Sequence, residues 1–413
     1  MKCRNCKKTK FDKIIKIGLQ PISSRTYKSK IKLKKYPLDL FKCKHCKLIQ
    51  LSRVAPAKDM YGSGYGYWTG LSPLMINHMK KKVKRLNNSK QLKKFSRVLD
   101  IGSSDPTFLN LLRKSKNNLD LFAIDPSSAK FKKSFTQKKI DDYLKLKNIS
   151  LKKFSLITSF AMFYDINDPN SFCKDVKNML EDNGIWIVEF SYFPLLLKNL
   201  TYDQINHEHV TYYTLTTLKN ILNKNGLKIL DINFNDINGG SAEVTVSKNS
   251  SKHKPSKERI NSILKEESFI NFESYKKFNL RLDNVKKVVN NFLENNKKVV
   301  GYGASTKGNI ILNHCGIKSD KIKHICDGNI QKIGNYTPGS NIKIITKKRM
   351  RKMKPDYLFV LIWSFRSEVI KQEKKFLLNG GKLIFPLPIF HIIDKYNYKY
   401  YQNENLNSLG YSI

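Results

Sequence analysis

A chain of 413 residues exceeds one ordinary domain, and about three is the expectation from length. Its 40% hydrophobic and 11% aromatic content supplies real cores and excludes a disordered protein. The net charge of +44, from 77 Lys plus Arg against 33 Asp plus Glu, would suit a nucleic acid. The excess, however, is mostly Lys spread along the whole chain, not clustered and Arg-based as base readout requires. No nucleic-acid partner is therefore expected, and the charge favours an anionic small molecule. No apolar run reaches the roughly 18 residues of a membrane span; the longest is Tyr357 to Trp363. The N-terminus opens with Lys and Cys and has no signal-peptide core, so a cytoplasmic protein without a membrane partner is expected. Nothing in the sequence sets the oligomeric state.

Residues 1–60 carry two Cys-x-x-Cys pairs, Cys3 with Cys6 and Cys43 with Cys46. Each spacing lets one tight turn present two thiolates, and four sulfurs close the coordination sphere of a structural zinc ion. The module has no core of its own, so metal binding folds it. His45 reads as a surface residue. Next comes YGSGYGYWTG, Tyr61 to Gly70, too rich in glycine for a helix. It reads equally as a ligand-covering loop, with Tyr65 and Tyr67 over the substrate, or as an aromatic clamp between domains.

From Arg97 the pattern becomes strand, glycine loop, helix: RVLDIG, SSDP, TFLNLLRK. A second strand, LDLFAID, ends at Asp125, placed to accept hydrogen bonds from ribose hydroxyls. SLITSF, a helix around Val176 to Leu180 and IWIVEF continue the alternation. Then comes TYDQINHEHVTYY, Thr201 to Tyr213, with two histidines flanking a glutamate. An extended run would turn His207 and His209 to one face and Glu208 to the other; the spacing does not fit a zinc-protease helix. The segment is either a proton-transfer site, since histidine titrates near neutrality, or two ordinary polar histidines in a loop. A helix capped by Thr214 and stopped by Gly226 leads into LKILDINFN and SAEVTVS, which read as an antiparallel hairpin around Asn238-Gly239-Gly240. The polar stretch 247–258 marks a boundary. A long helix is expected from about Glu266 to Asn296. KKVVGYGASTKGN then repeats the strand, glycine loop, helix logic, with Ser305, Thr306 and Lys307 forming an anion site at a helix start. As a dinucleotide fingerprint it is imperfect, since Gly308 comes late. KIKHICD, PDYLFVLIW and KLIFPLP supply further buried strands.

These motifs, in this order, resemble the S-adenosylmethionine-dependent sugar C-methyltransferase family: CxxC with CxxC, PLDLFKCKHCKLIQL, YGYWTG, LDIGSSD, SFAMFYDINDP, YDQINHEHVTYY, GYGASTKGN and YTPG. The resemblance implies an α/β protein with a zinc-binding module at 1–60, a Rossmann-like class I methyltransferase domain at 61–250 and a second Rossmann-like, nucleotide-sugar-binding domain at 251–413. It implies methylation of the carbon next to the ketone of a nucleotide-linked keto-deoxysugar. His209 takes the general-base position, Glu208 orients or assists, and His207 is a neighbour. The expected cofactor residues are Asp100, Gly102, Asp125 and Ser159. Asn206, Tyr212 and the anion site join the two loop tyrosines as substrate residues. Asn206 stands where members often have Tyr, and Pro106 replaces a third loop glycine. Those two departures raise the alternative of a nucleotide-sugar-binding protein with an impaired methyl-transfer site; the charge raises an RNA methyltransferase.

Overall fold

The computed structural model describes residues 1–60, 69–88, 97–116, 118–125, 139–140 and 153–404. The N-terminal residues form short strands β1 (Phe11–Ile15), β2 (Leu19–Pro21), β3 (Lys35–Pro37), β4 (Leu40–Cys43) and β5 (Ile49–Leu51). Both Cys-x-x-Cys turns are built alike. Lys7 N donates to Cys3 O at 2.9 Å and Lys47 N to Cys43 O at 3.0 Å, with both lysines in the left-handed region.

The middle of the chain adds β6 (Arg97–Ile101), β7 (Asp120–Ile124), β8 (Lys139–Ile140), β9 (Phe154–Phe160), β10 (Leu180–Ser191), β11 (Thr211–Tyr212), β12 (Leu227–Asn235) and β13 (Ser241–Lys248). Strands β6, β7 and β9 are buried on both faces along nearly their whole length, as parallel strands covered by helices must be. They sit in a seven-stranded sheet of order β12-β13-β10-β9-β6-β7-β8. The expected hairpin is its antiparallel edge, β12 pairing with β13 and β13 with β10. Chain order reverses between β7 and β9, the two neighbours of β6, so a ligand crevice opens at the carboxyl end of β6. Lys82, on the Pro73–Asn88 helix, is buried between Glu189 and Glu243, which face each other across β10 and β13.

β11 leaves this sheet altogether. Thr211 pairs with Gln50 and Tyr212 with Ile49, completing a four-stranded sheet β1-β4-β5-β11. The zinc module therefore borrows its last strand from the histidine segment.

The single long helix expected over 266–296 is two helices, Lys257–Ser268 and Phe272–Asn295. The break has a local cause. Asn271 Oδ1 accepts from Glu273 N at 2.9 Å and Ser274 N at 3.2 Å, a capping box that starts a new helix. The shorter helix packs on β12 and on the Leu215–Lys224 helix, and the longer one on β1 and the Thr306–Cys315 helix. The helix expected around Val176 begins earlier, at Pro169, because Asp168 caps it with proline at its first position.

The last third contributes β14 (Val299–Tyr302), β15 (His324–Cys326), β16 (Lys343–Ile345), β17 (Tyr357–Val360), β18 (Lys382–Phe385) and β19 (His391–Ile393), in the order β16-β15-β14-β17-β18-β19. All pairs are parallel except β18 with β19. Its switch point lies at β14, whose glycine loop leads into the Thr306–Cys315 helix. The segment after β2 ties this part to the module: Asn309 Nδ2 donates to Ser23 O at 2.8 Å, and Tyr27 bridges Tyr336. No helix among the described residues is long and apolar enough to cross a membrane.

Glu267 staples the Lys257–Ser268 helix to the start of the Leu215–Lys224 helix. Its buried carboxylate accepts from Thr216 N at 2.8 Å, Thr216 Oγ1 at 2.6 Å, Leu215 N and Tyr192 Oη. A carboxylate on a helix N-terminus answers orphan amides and the dipole together. Glu267→Ala is expected to destabilise the protein by about 3 kcal/mol in urea unfolding, since charged hydrogen bonds are lost and buried amides are left unpaired.

Candidate active site

The histidine segment is not extended. Tyr202–Gln204 forms a single 3-10 turn, and Asn206 Oδ1 then accepts from Glu208 N at 2.9 Å and His209 N at 3.3 Å. This side-chain turn mimics a backbone turn and breaks the alternation that would put His207 and His209 on one face. Glu208 and His209 line one cavity instead. His207 points elsewhere, its Nε2 3.4 Å from Tyr36 O and its ring edge-on to Tyr36. Asn206 shapes the turn and also lines the cavity.

His209 is buried, its ring 3.9 Å from that of Tyr164. Burial, reinforced by the charge of Lys307, pulls its pKa down to about 3, against a hydrogen bond that the imidazole donates to the Gln204 backbone. Burial likewise lowers His207 to about 4. Both imidazoles are neutral at physiological pH, the form a base requires. Glu208 moves the other way: burial raises it to about 7, opposed by Ser24.

The cavity, of about 410 Å³, is lined from every part of the chain. Facing the histidine are Ser305, Thr306 and Lys307 at the start of the Thr306–Cys315 helix, with Lys332 and Asn335 beside them. Ser305 caps that helix, accepting from Gly308 N at 2.9 Å. Lys307 donates to Asn238 Oδ1, and burial lowers it to about 8, opposed by nearby Asp203. Asp203 accepts from Trp363 Nε1 at 2.8 Å, and burial raises it to about 6. Ser24 and Thr26, from beside β2, close the remaining side.

Tyr212 does not line this cavity. Its strand pairing with Ile49 turns it into the core, where it neighbours Asp165. Tyr65 and Tyr67 lie outside the described residues. Asp165, which sequence reasoning passed over, does line the cavity. It ends a 3-10 turn, Phe163–Asp165, after β9, and a lone acid in SFAMFYDINDP has no periodic signal to mark it.

At the carboxyl end of β6, Gly102 has φ +73°, and a Cβ there would lie 2.6 Å from Met162 Cγ. Glycine is needed for both the turn and the close approach. Ser104 N donates to Asp125 at 2.8 Å. Asp100 is buried and accepts from Thr158 Oγ1 at 2.7 Å; burial raises it to about 7. Asp105 binds Gly70 N at 2.7 Å, joining the end of the YGYWTG stretch to this loop. Pro106 caps the Thr107–Ser115 helix at φ −77°, so the helix forms despite it. Ser159 is fully buried with its hydroxyl accepting from Trp186 Nε1 at 3.1 Å, so its side chain is committed to the core. The Asp125 carboxylate, at the end of β7 beside the Gly102 turn that ends β6, fits the ribose of an adenosine cofactor.

The four cysteine sulfurs lie within 4.8 Å of one another, with Cys3–Cys46 at 3.4 Å and Cys6–Cys43 at 3.6 Å. Four thiolates this close and free of disulfides fit a tetrahedral zinc ion.

Against known families, residues 3–61 match a zinc-binding domain, 74–232 a methyltransferase domain and 236–388 a C-methyltransferase C-terminal domain. The chain is 28% identical over 368 residues to C-methyltransferase NovU of Streptomyces niveus, covering 86% of each. Among solved structures, it is similar to an S-adenosylmethionine-dependent methyltransferase of Clostridium acetobutylicum over 41% of this chain and 92% of that one, with 17% identity and TM-score 0.32. An O-methyltransferase family protein of Burkholderia thailandensis aligns over 43% of this chain and 58% of its own, under two thirds of its length, with 10% identity and TM-score 0.33. The fold, the crevice at β6 and these domains define an S-adenosylmethionine-dependent methyltransferase. More particularly, the chain belongs with the C-methyltransferases, built from a zinc-binding module, a methyltransferase domain and their C-terminal domain.

Cys43→Ser is expected to lose bound zinc by elemental analysis and to lower soluble yield sharply, because metal binding folds the module; wild-type protein purified soluble without zinc would contradict this.

Proposed function

We propose that this C-methyltransferase acts on a nucleotide-linked keto-deoxysugar, deprotonating and then methylating the carbon next to the ketone, in the biosynthesis of a deoxysugar for a surface polysaccharide or secondary metabolite. The observation that carries the reading is a single cavity with two chemically different ends. One end holds the neutral His209 with the Glu208 and Asp165 carboxyls. The other is a helix N-terminus with Ser305, Thr306 and Lys307, where backbone amides and a lysine suit a diphosphate. A nucleotide-linked ketone has the matching two ends.

His209 removes the α-proton, and the electron pair of that C–H bond moves toward the ketone oxygen. S-adenosylmethionine, bound in the β6 crevice, supplies an electrophilic methyl group. Glu208 stays beside the base, and burial keeps water from competing for the carbanion. Lys307 links the two ends. Its charge depresses His209, so a diphosphate seated on Lys307 offsets that charge and makes the imidazole a better base once substrate is in place. Asn206 keeps its part through the turn it holds rather than as a proton donor.

The test uses nucleotide-linked 4-keto-6-deoxysugars in deuterated water, read by mass spectrometry. Wild type is expected to exchange the proton next to the ketone and, with S-adenosylmethionine, to add one methyl. His209→Gln is expected to lose both signals while calorimetry shows cofactor binding within about threefold of wild type. Full activity in that variant would remove His209 from the base role. Neither signal in wild type across the common nucleotides would reject the sugar reading.

A further inference from the structure

The turn between β12 and β13 reaches into the cavity and meets the Thr306–Cys315 helix there. Its tip is Asn238, half-buried at φ +61°, which lines the cavity together with His209 and Lys307. The backbone of the turn is held from the histidine segment and its approach. Asn238 O accepts from Gln204 Nε2 at 2.6 Å, and Gly239 O accepts from Asn199 Nδ2 at 2.8 Å. A Cβ at Gly239 would lie 2.7 Å from both Thr201 Cγ2 and Trp363 Cη2, so the turn is wedged between Thr201 and the Trp363 ring. The root of the Asn238 side chain is thereby fixed.

Its carboxamide is oriented as well. Lys307 Nζ donates to Asn238 Oδ1, and an ammonium can only donate, so the oxygen end of the amide must be the end that meets it. The nitrogen end, with two protons to give, is turned the other way. Among the described residues Nδ2 has no hydrogen-bond partner, and it does not belong to the buried polar atoms left unpaired, so it keeps a face open to solvent. Lys307 spends one of its three protons on this contact and keeps two.

We propose that Asn238 is a substrate-binding residue, its Nδ2 donating to the diphosphate of the nucleotide-linked substrate beside the ammonium that holds its Oδ1. The assignment rests on the substrate reading above. Ser305, Thr306 and Lys307 offer the anion a helix N-terminus, and Asn238 adds a donor from a different element of the fold. A hydrogen bond to a charged acceptor is roughly twice as strong as one between neutral groups. An amide is suited to this place because it accepts from the lysine and donates to the phosphate at once. A carboxylate of the same shape would still accept from Lys307, but it would offset the charge of the lysine, repel the diphosphate and have no proton to donate.

Two substitutions separate this role from a structural one, and both residues tolerate a positive φ. Asn238→Gly removes the amide; Asn238→Asp keeps its shape and reverses what it offers. Titration calorimetry with dTDP, UDP and GDP at pH 7 is expected to show the tightest-bound of these weakened about 10-fold in Asn238→Gly and about 100-fold in Asn238→Asp. S-adenosylmethionine binding within about threefold of wild type shows that each variant is folded. A side chain that only shapes the turn predicts the opposite order, since aspartate fills the space of asparagine and glycine leaves it empty. Equal affinity in all three proteins, or a greater loss in Asn238→Gly than in Asn238→Asp, overturns the assignment alone. Wild type that binds none of the three nucleotides overturns the substrate reading and this assignment with it. A structure of wild type with the bound nucleotide decides the contact without any variant: Nδ2 is expected within hydrogen-bond distance of a phosphate oxygen, and a phosphate seated away from it overturns the assignment.

Discussion

The segment Thr201 to Tyr213 is held by three parts of the chain at once, and the site exists only because of this. Asp203 accepts from Trp363 beyond β17, Thr211 pairs with Gln50 of the zinc module, and Val210 N donates to Tyr164 O after β9. Each is a buried or half-buried polar contact, expensive to break because water cannot replace it. Between these ties the backbone has little freedom, and Asn206 uses what remains to make the turn that aims Glu208 and His209 together. The zinc ion thereby becomes relevant to chemistry it never touches: by folding β4 and β5 it supports the strand on which the histidine segment ends.

Burial does opposite things to the two kinds of ionisable group in this cavity. It strips charge from His207 and His209, and it keeps protons on Glu208 and Asp165. Both shifts follow from the cost of a charge away from water. Together they leave a neutral imidazole in the same cavity as carboxyls that hold their protons to higher pH than they would in water. Lys307, in the first turn of its helix, donates to Asn238, and its charge reaches both Asp203 and His209.

The two large sheets solve one backbone problem twice. Gly102 N donates to Ile124 O at 2.7 Å, and Gly303 N to Cys326 O at 2.8 Å. An acid at the end of the neighbouring strand then takes a loop amide, Asp125 from Ser104 and Asp327 from Ala304, each at 2.8 Å. A parallel sheet with a switch point leaves its loop amides pointing into a crevice, and glycine at positive φ lets the chain turn there. The first such crevice fits the cofactor; the second borders the cavity opposite His209.

What the sequence by itself determined is whatever depends on near neighbours. The buried strands from RVLDI to KLIF, the glycine loops at Gly102 and Gly303, the Thr214 cap and the paired cysteines all follow from apolar runs, turn chemistry and fixed spacings, and all appear where expected. The hairpin around Asn238 was legible for the same reason. Tertiary structure alone decided that His207 turns away from His209, that Tyr212 enters the core with β11, that Ser159 is spent on Trp186 and that Asp165 joins the site. These are questions of which way a side chain faces. In a strand or helix the backbone period answers them, but in the turns that carry this site no period exists, and hydrogen bonds to residues far away in the chain supply the answer.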